Sequence, residues 1–210
     1  MPTDATSSTA SQPAKSSRFA LLVAALGLAL VGTLALTGQF GTAFSGLVTP
    51  AHASANHALV GQKAPAFAVR TLDGRRASSK DAVGSVLVID FWATWCPPCV
   101  RALPIIKETV ESFEDSDVKV HLVAMNLREN KREIEAFLEN QGLAGLNVGL
   151  DTRGDVAERY LVEGIPQTVV IDPTGMVTSV HVGLSPKLGE ELTADINAAI
   201  EAGQASASAE

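Results

Sequence analysis

Between residues 58 and 202 the apolar positions fall in short blocks whose period keeps changing. Val86–Trp92 (VLVIDFW) is apolar everywhere except Asp90, the pattern of a strand covered on both faces. Val118–Asn126 reads as the next strand. Lys131–Asn140 places Ile134, Phe137 and Leu138 on one face of a helix. Pro186–Ala202 predicts a closing helix, with Leu188, Leu192, Ile196 and Ile200 recurring every four residues. Phe67–Thr71 is a short strand meeting a turn at Asp73-Gly74, a hairpin signal. A helix is expected from Pro97 to about Phe113, a weak strand around Val148, and a short helix over Asp155–Tyr160. Thr168–Ile171 and Met176–Val182 flank Asp172-Pro173-Thr174-Gly175, a tight turn joining antiparallel strands. This alternation predicts an α/β domain, a sheet with helices on both faces.

The ends of the chain follow other rules. Residues 1–18 are rich in Ser, Thr, Ala and Pro and read as disordered. Phe19–Leu36 is an apolar block of 18 residues preceded by Lys15 and Arg18, and no charged residue follows it until Lys63. It is just long enough to cross a bilayer core of about 30 Å. Basic residues before it and none after favour export of the remainder. The block predicts a transmembrane anchor or the core of a signal peptide; Ala51-His52-Ala53 offers a cleavage site. That site lies far from Leu36 and the block exceeds a signal's usual length, so the anchor is favoured. Either way the rest lies outside the cytoplasm. Residues 37–57 read as a tether, and 203–210 (GQASASAE) as a flexible tail.

Charge and cysteine count narrow the function. A net charge of −7, with no lysine or arginine cluster, excludes phosphate-backbone binding, so no nucleic-acid partner is expected. The chain of 210 residues has two cysteines, Cys96 and Cys99, in CPPC directly after the apolar strand. Cys96 falls where the next helix begins, and exposed N–H groups there favour thiolate over thiol. Cys99, one turn on, can resolve a mixed disulfide formed by Cys96, which makes the pair a two-electron switch. Pro97 and Pro98 are tolerated in a first helical turn, and by lacking N–H groups they tune the potential. A structural disulfide across so short a loop would add little stability. A zinc half-site lacks ligands: the four histidines are His52 and His57 in the tether and His121 and His181 in predicted strands. No metal and no cofactor beyond the redox-active disulfide is expected.

FWATWCPPC resembles the active site of thioredoxin-fold proteins, in particular the TlpA/ResA-like extracytoplasmic thiol-disulfide oxidoreductases. GQKAPAFAVRTLDGR is similar to their opening hairpin, GIPQTVVIDPTG to their cis-proline segment, and HVGLSP to their last-strand glycine stretch. The resemblance covers roughly residues 58–200. It implies a thioredoxin-like fold: a central mixed β-sheet flanked by helices, with an N-terminal β-hairpin extension beside the N-terminal transmembrane helix. It also implies Cys96 as attacking thiol, Cys99 as resolver, and a cis Ile165–Pro166 bond facing them. Gly183 is placed near the site, and Pro104 where these folds kink the active-site helix. Trp95 is expected to help hold partners, alongside Pro97, Pro98 and Ile165, whereas Trp92 is expected in the core. One departure matters: Ala102 stands where ResA-like proteins carry a glutamate three residues after the second cysteine. Asp90 occupies the position of the buried acid of cytoplasmic thioredoxins, and is expected to take over the proton work.

The functional expectation is a membrane-tethered reductase of exported protein disulfides, apocytochrome c among the candidates, fed by a membrane dithiol donor. An oxidant or isomerase is the alternative, because the motif does not fix direction. A metal-handling assembly protein would be expected to use CxxxC with a downstream histidine. A thiol peroxidase would need a Thr-x-x-Cys motif, which is absent.

Overall fold

The computed structural model describes residues 56–208. Residues 1–18, the apolar block 19–36 and all but the last two residues of the tether lie outside them. Among the described residues no helix is long and apolar enough to cross a membrane.

Among the described residues seven strands and four α-helices follow one another, with a 3-10 helix (Ser79–Ala82) between the second and third strands: β1 (Ala68–Arg70), β2 (Arg76–Ser78), β3 (Val86–Trp92), α1 (Pro97–Glu111), β4 (Val120–Leu127), α2 (Lys131–Asn140), β5 (Val148–Asp151), α3 (Asp155–Arg159), β6 (Gln167–Ile171), β7 (Val177–Val182) and α4 (Leu188–Ala207). β1 and β2 form the antiparallel hairpin, and the main sheet has the order β5-β4-β3-β6-β7. β3 pairs parallel with β4 and β4 with β5, whereas β6 runs antiparallel to β3 and β7 to β6. The sheet is mixed, as expected, with the wholly buried β3 at its centre.

Strand parity separates the two faces. Val86 and Val88 share a cluster with Ala102 and Ile106 of α1 and Leu192 and Ile196 of α4. Further along the same face, Trp92 meets Cys99 and Leu103 of α1 and Ile134 and Leu138 of α2. The crossovers β3-α1-β4 and β4-α2-β5 step in the same direction, so right-handed connections put both helices on one side. Leu87, Ile89 and Phe91 point the other way, into a cluster with Val156 and Tyr160 beside the hairpin's Phe67 and Ala77. Tyr160 holds the entering chain there by donating from its hydroxyl to the Pro65 carbonyl at 2.9 Å.

One expectation is corrected. Residues 203–207, read as flexible tail, continue α4 to Ala207. Alanine-rich sequence favours helix, and Gly203 packs so closely on Pro173 that an added Cβ would lie 2.5 Å from its Cγ. That contact joins the helix end to the turn between β6 and β7, which sequence spacing does not reveal. In the same turn Asp172 Oδ1 accepts from the Thr174 and Met176 N–H groups at 2.9 and 3.0 Å, and Gly175 takes φ +86°.

Candidate active site

β3 ends at Trp92 and a short loop, Ala93–Trp95, carries the chain to α1. Cys96 is the N-cap, in extended conformation, and its Sγ accepts from the Cys99 N–H at 3.3 Å. Pro97 and Pro98 occupy the first two helical positions, where a missing N–H leaves no gap in the helix. The cysteines are bridged, with S–S 2.05 Å. Both are buried, but unequally: Cys96 keeps 4% of its surface and Cys99 none. A thiol at Cys96 can be reached from outside; one at Cys99 meets only what Cys96 brings to it.

The opposite wall comes from the turn into β6. The Ile165–Pro166 bond is cis, and the Ile165 carbonyl oxygen lies 3.7 Å from Cys96 Sγ. Gly183, at φ +84°, donates its N–H to the Pro166 carbonyl at 2.8 Å, which fixes the end of β7 against that turn. Trp95 stands beside the cysteines with 68% of its surface exposed, whereas Trp92 is fully buried with its ring 5.8 Å from that of Phe137. A groove of about 270 Å³ opens next to Trp95, walled by Leu127, Arg128, Gly154, Glu163 and Ile165. Thus Cys96, Cys99, Trp95, Pro97, Pro98, Ile165, Pro166 and Gly183 meet at one end of the sheet.

Asp90 sits one layer deeper. It shares a face with Val88 and Trp92, whose clusters contain Ala102 and Cys99 respectively, so it lies beneath the first turns of α1. It is fully buried; Oδ1 accepts from the Thr168 hydroxyl at 2.9 Å, and Oδ2 has no partner. Burial raises its pKa to about 7, against the opposing effect of the Thr168 hydrogen bond. Ala102 is also fully buried, among apolar neighbours. The carboxylate near α1 in this region is therefore Asp90 of β3, and position 102 carries a methyl group packed in the apolar cluster.

Two polar neighbours of the site escaped the sequence reading. Glu129 accepts at Oε2 from the Thr94 N–H at 2.8 Å and from Asn126 Nδ2 at 2.7 Å, and at Oε1 from the Thr94 hydroxyl. It ties the loop before Cys96 to the end of β4; an Asn-x-x-Glu spacing past an apolar strand was the available signal. Thr168 is the other, hidden in an apolar strand. Of the two histidines downstream of the cysteines, His121 and His181, the latter is 4% exposed and bound through Nε2 to Asp195 Oδ2 at 2.7 Å. That nitrogen faces a carboxylate in the core and is not offered to solvent.

A CxxC pair capping a helix, with the inner cysteine sealed and a cis-proline turn against the outer one, defines a thioredoxin-like thiol-disulfide oxidoreductase. The chain belongs to the AhpC/TSA family, whose match spans residues 60–180. It is 31% identical over 140 residues to the thioredoxin-like protein YneN of Bacillus subtilis, covering 65% of this chain and 79% of YneN. It is 32% identical over 123 residues to the thiol-disulfide oxidoreductase ResA of the same organism, covering 59% of this chain and 67% of ResA. Among solved structures, a Chlorobium tepidum protein described as thiol:disulfide interchange protein DsbE superposes with a TM-score of 0.61 at 34% identity, over 67% of this chain and 96% of that one.

Proposed function

We propose that this protein is a reductase of disulfides in exported proteins, held at the outer face of the cell membrane by residues 19–36. The observation that carries the direction is the poverty of donors around Cys96. The first two amides of α1 belong to prolines, and the Cys99 N–H at 3.3 Å is the helix amide that reaches its sulfur. Strong oxidants of this class owe their potential to a stabilised thiolate in the reduced form. Withholding amide donors removes that stabilisation and favours giving electrons away.

The cycle begins with the Cys96 thiolate attacking a substrate disulfide. A Cys96–substrate bond forms, the substrate's own S–S bond breaks, and one substrate thiol leaves. Cys99 then gives its proton to Asp90 and attacks Cys96 Sγ. The Cys96–Cys99 bond forms, the mixed disulfide breaks, and the second substrate thiol is released. The substrate has gained two electrons, and the protein holds the disulfide seen here. Pro166, which has no N–H, and the neighbouring Ile165 present open backbone to an extended segment. Trp95, Pro97, Pro98 and Gly183 supply the surrounding surface. A membrane dithiol returns the two electrons, and tethering keeps it at high effective concentration. Apocytochrome c, with paired haem-site cysteines, is a substrate of the right chemistry.

The midpoint potential of the Cys96/Cys99 couple tests the direction. A value at or below about −270 mV is expected; one between about −180 and −120 mV would make the protein an oxidant or isomerase.

A further inference from the structure

We propose that Thr168 is the positioning residue of the proton acceptor: its hydroxyl engages Oδ1 of Asp90 and leaves Oδ2 for the resolving thiol. This rests on the reading of Asp90 as the base that takes the Cys99 proton. Thr168 and Asp90 are directly opposite in the antiparallel pairing of β3 with β6, where side chains on one face are neighbours. Both are buried, and their hydrogen bond of 2.9 Å spans 78 residues of sequence. The face of β6 that looks toward α1 and α4 carries Thr168 and then Val170, and Val170 sits in the apolar cluster with Ala102 and Ile106. A hydroxyl occurs on this face at the one register position where the neighbouring strand carries an acid.

The other groups around Asp90 leave that task to Thr168. On β4 its register partner is Ala124, and beyond it on β5 stands Val148, so no charge approaches from that side. On α1, Arg101, Glu108 and Glu111 are exposed and Lys107 pairs with Glu111, so the titratable group that the helix buries toward the sheet is Cys99, with Cys96 at the N-cap. On β7, His181 is the register partner of Thr168, and its Nε2 is held by Asp195 of α4 at 2.7 Å, with Glu191 Oε2 4.0 Å from Nδ1. The imidazole therefore answers to the α4 carboxylates and is not the counter-ion of Asp90. A hydroxyl can donate to one carboxylate oxygen and hold the group's rotation without neutralising it. The proton then goes to the oxygen without a partner, Oδ2, in a single orientation.

The test compares full-length wild type with T168V, T168S and D90N. The rate at which Cys99 resolves a preformed Cys96 mixed disulfide is measured across pH 5–10, and the Asp90 carboxyl is followed by carbon-13 NMR. T168V keeps the side-chain shape and removes the hydroxyl. Its resolution profile and its Asp90 titration are expected to move upward by about one pH unit, because a hydrogen bond to the ionised form is lost. T168S restores both. Unmoved profiles in T168V, with D90N still abolishing the pH dependence, would overturn the role of Thr168 and leave Asp90 as the base. A D90N profile identical to wild type would overturn both. If T168V folds poorly, T168S with an Asp90 titration displaced as far as that of a Thr168→Ala variant would likewise sink the proposal, since its hydroxyl is intact.

Discussion

Replacing Asp90 by Asn turns the buried acid into a measurable slope. A folded pKa of about 7 against 3.8 for the free side chain is a difference of about three units, or about 4 kcal/mol. The sign follows from proton counting. Between these two values the folded protein holds a proton at Asp90 that the unfolded chain has released, so stability falls as pH rises. Asp90 contributes fully below about pH 4, and the contribution is gone above about pH 7. Asn cannot titrate. Its amide accepts from Thr168 through oxygen but buries two N–H bonds without partners, a pH-independent penalty of about 1–3 kcal/mol. The absolute stabilities therefore decide nothing, and the difference between the two proteins across pH decides everything. Urea denaturation of both, with the Cys96–Cys99 bridge intact so that no thiol titrates, is run from pH 4 to pH 8. Wild type is expected to lose about 4 kcal/mol relative to D90N over that range, with most of the change between pH 4 and 7. Every other titrating group cancels in the comparison. A difference that stays constant within about 1 kcal/mol would refute the claim that burial holds this acid's proton.

Glu129→Ala removes the acceptor of three hydrogen bonds to Thr94 and Asn126 and is expected to lower stability by about 2 kcal/mol, whereas Glu129→Gln keeps an oxygen at the clamp and loses less; chemical denaturation separates them. His181→Ala leaves Asp195 in the core without its 2.7 Å partner, so the melting temperature drops by several degrees while thiol exchange at Cys96 keeps its rate. Trp95→Ala removes the most exposed aromatic beside Cys96, and is expected to raise KM for a disulfide-bonded protein about tenfold, leaving reaction with dithiothreitol unchanged. Equal losses with both substrates would assign Trp95 to packing.

Much of this protein was legible in its residues, and what was legible shares a cause. Val86–Trp92, Lys131–Asn140 and the Asp73-Gly74 hairpin announce themselves because burial repeats every two or every 3.6 residues, and a turn needs particular residues locally. Cys96 and Cys99 declare their chemistry because three residues of helix suffice to bring them together. The cis-proline turn and Gly183 came from resemblance, since the contact of Cys96 with Ile165 spans 69 residues. Asp90 could be marked as an anomaly in an apolar strand, but its surroundings could not.

Tertiary structure decided the partners. Whether a charged segment such as Glu129–Glu135 faces water or clamps a loop depends on what the fold brings opposite, here Thr94. Thr168 looks like one more β-branched residue until register places it against Asp90, and a shift of one residue would have turned it to the other face. The same holds for His181 and Asp195, and for Gly203 against Pro173, which extends the last helix past its periodic stretch. Local sequence encodes how strongly each position prefers to leave water; which groups then meet is set by strand order and register, through contacts dozens of residues apart.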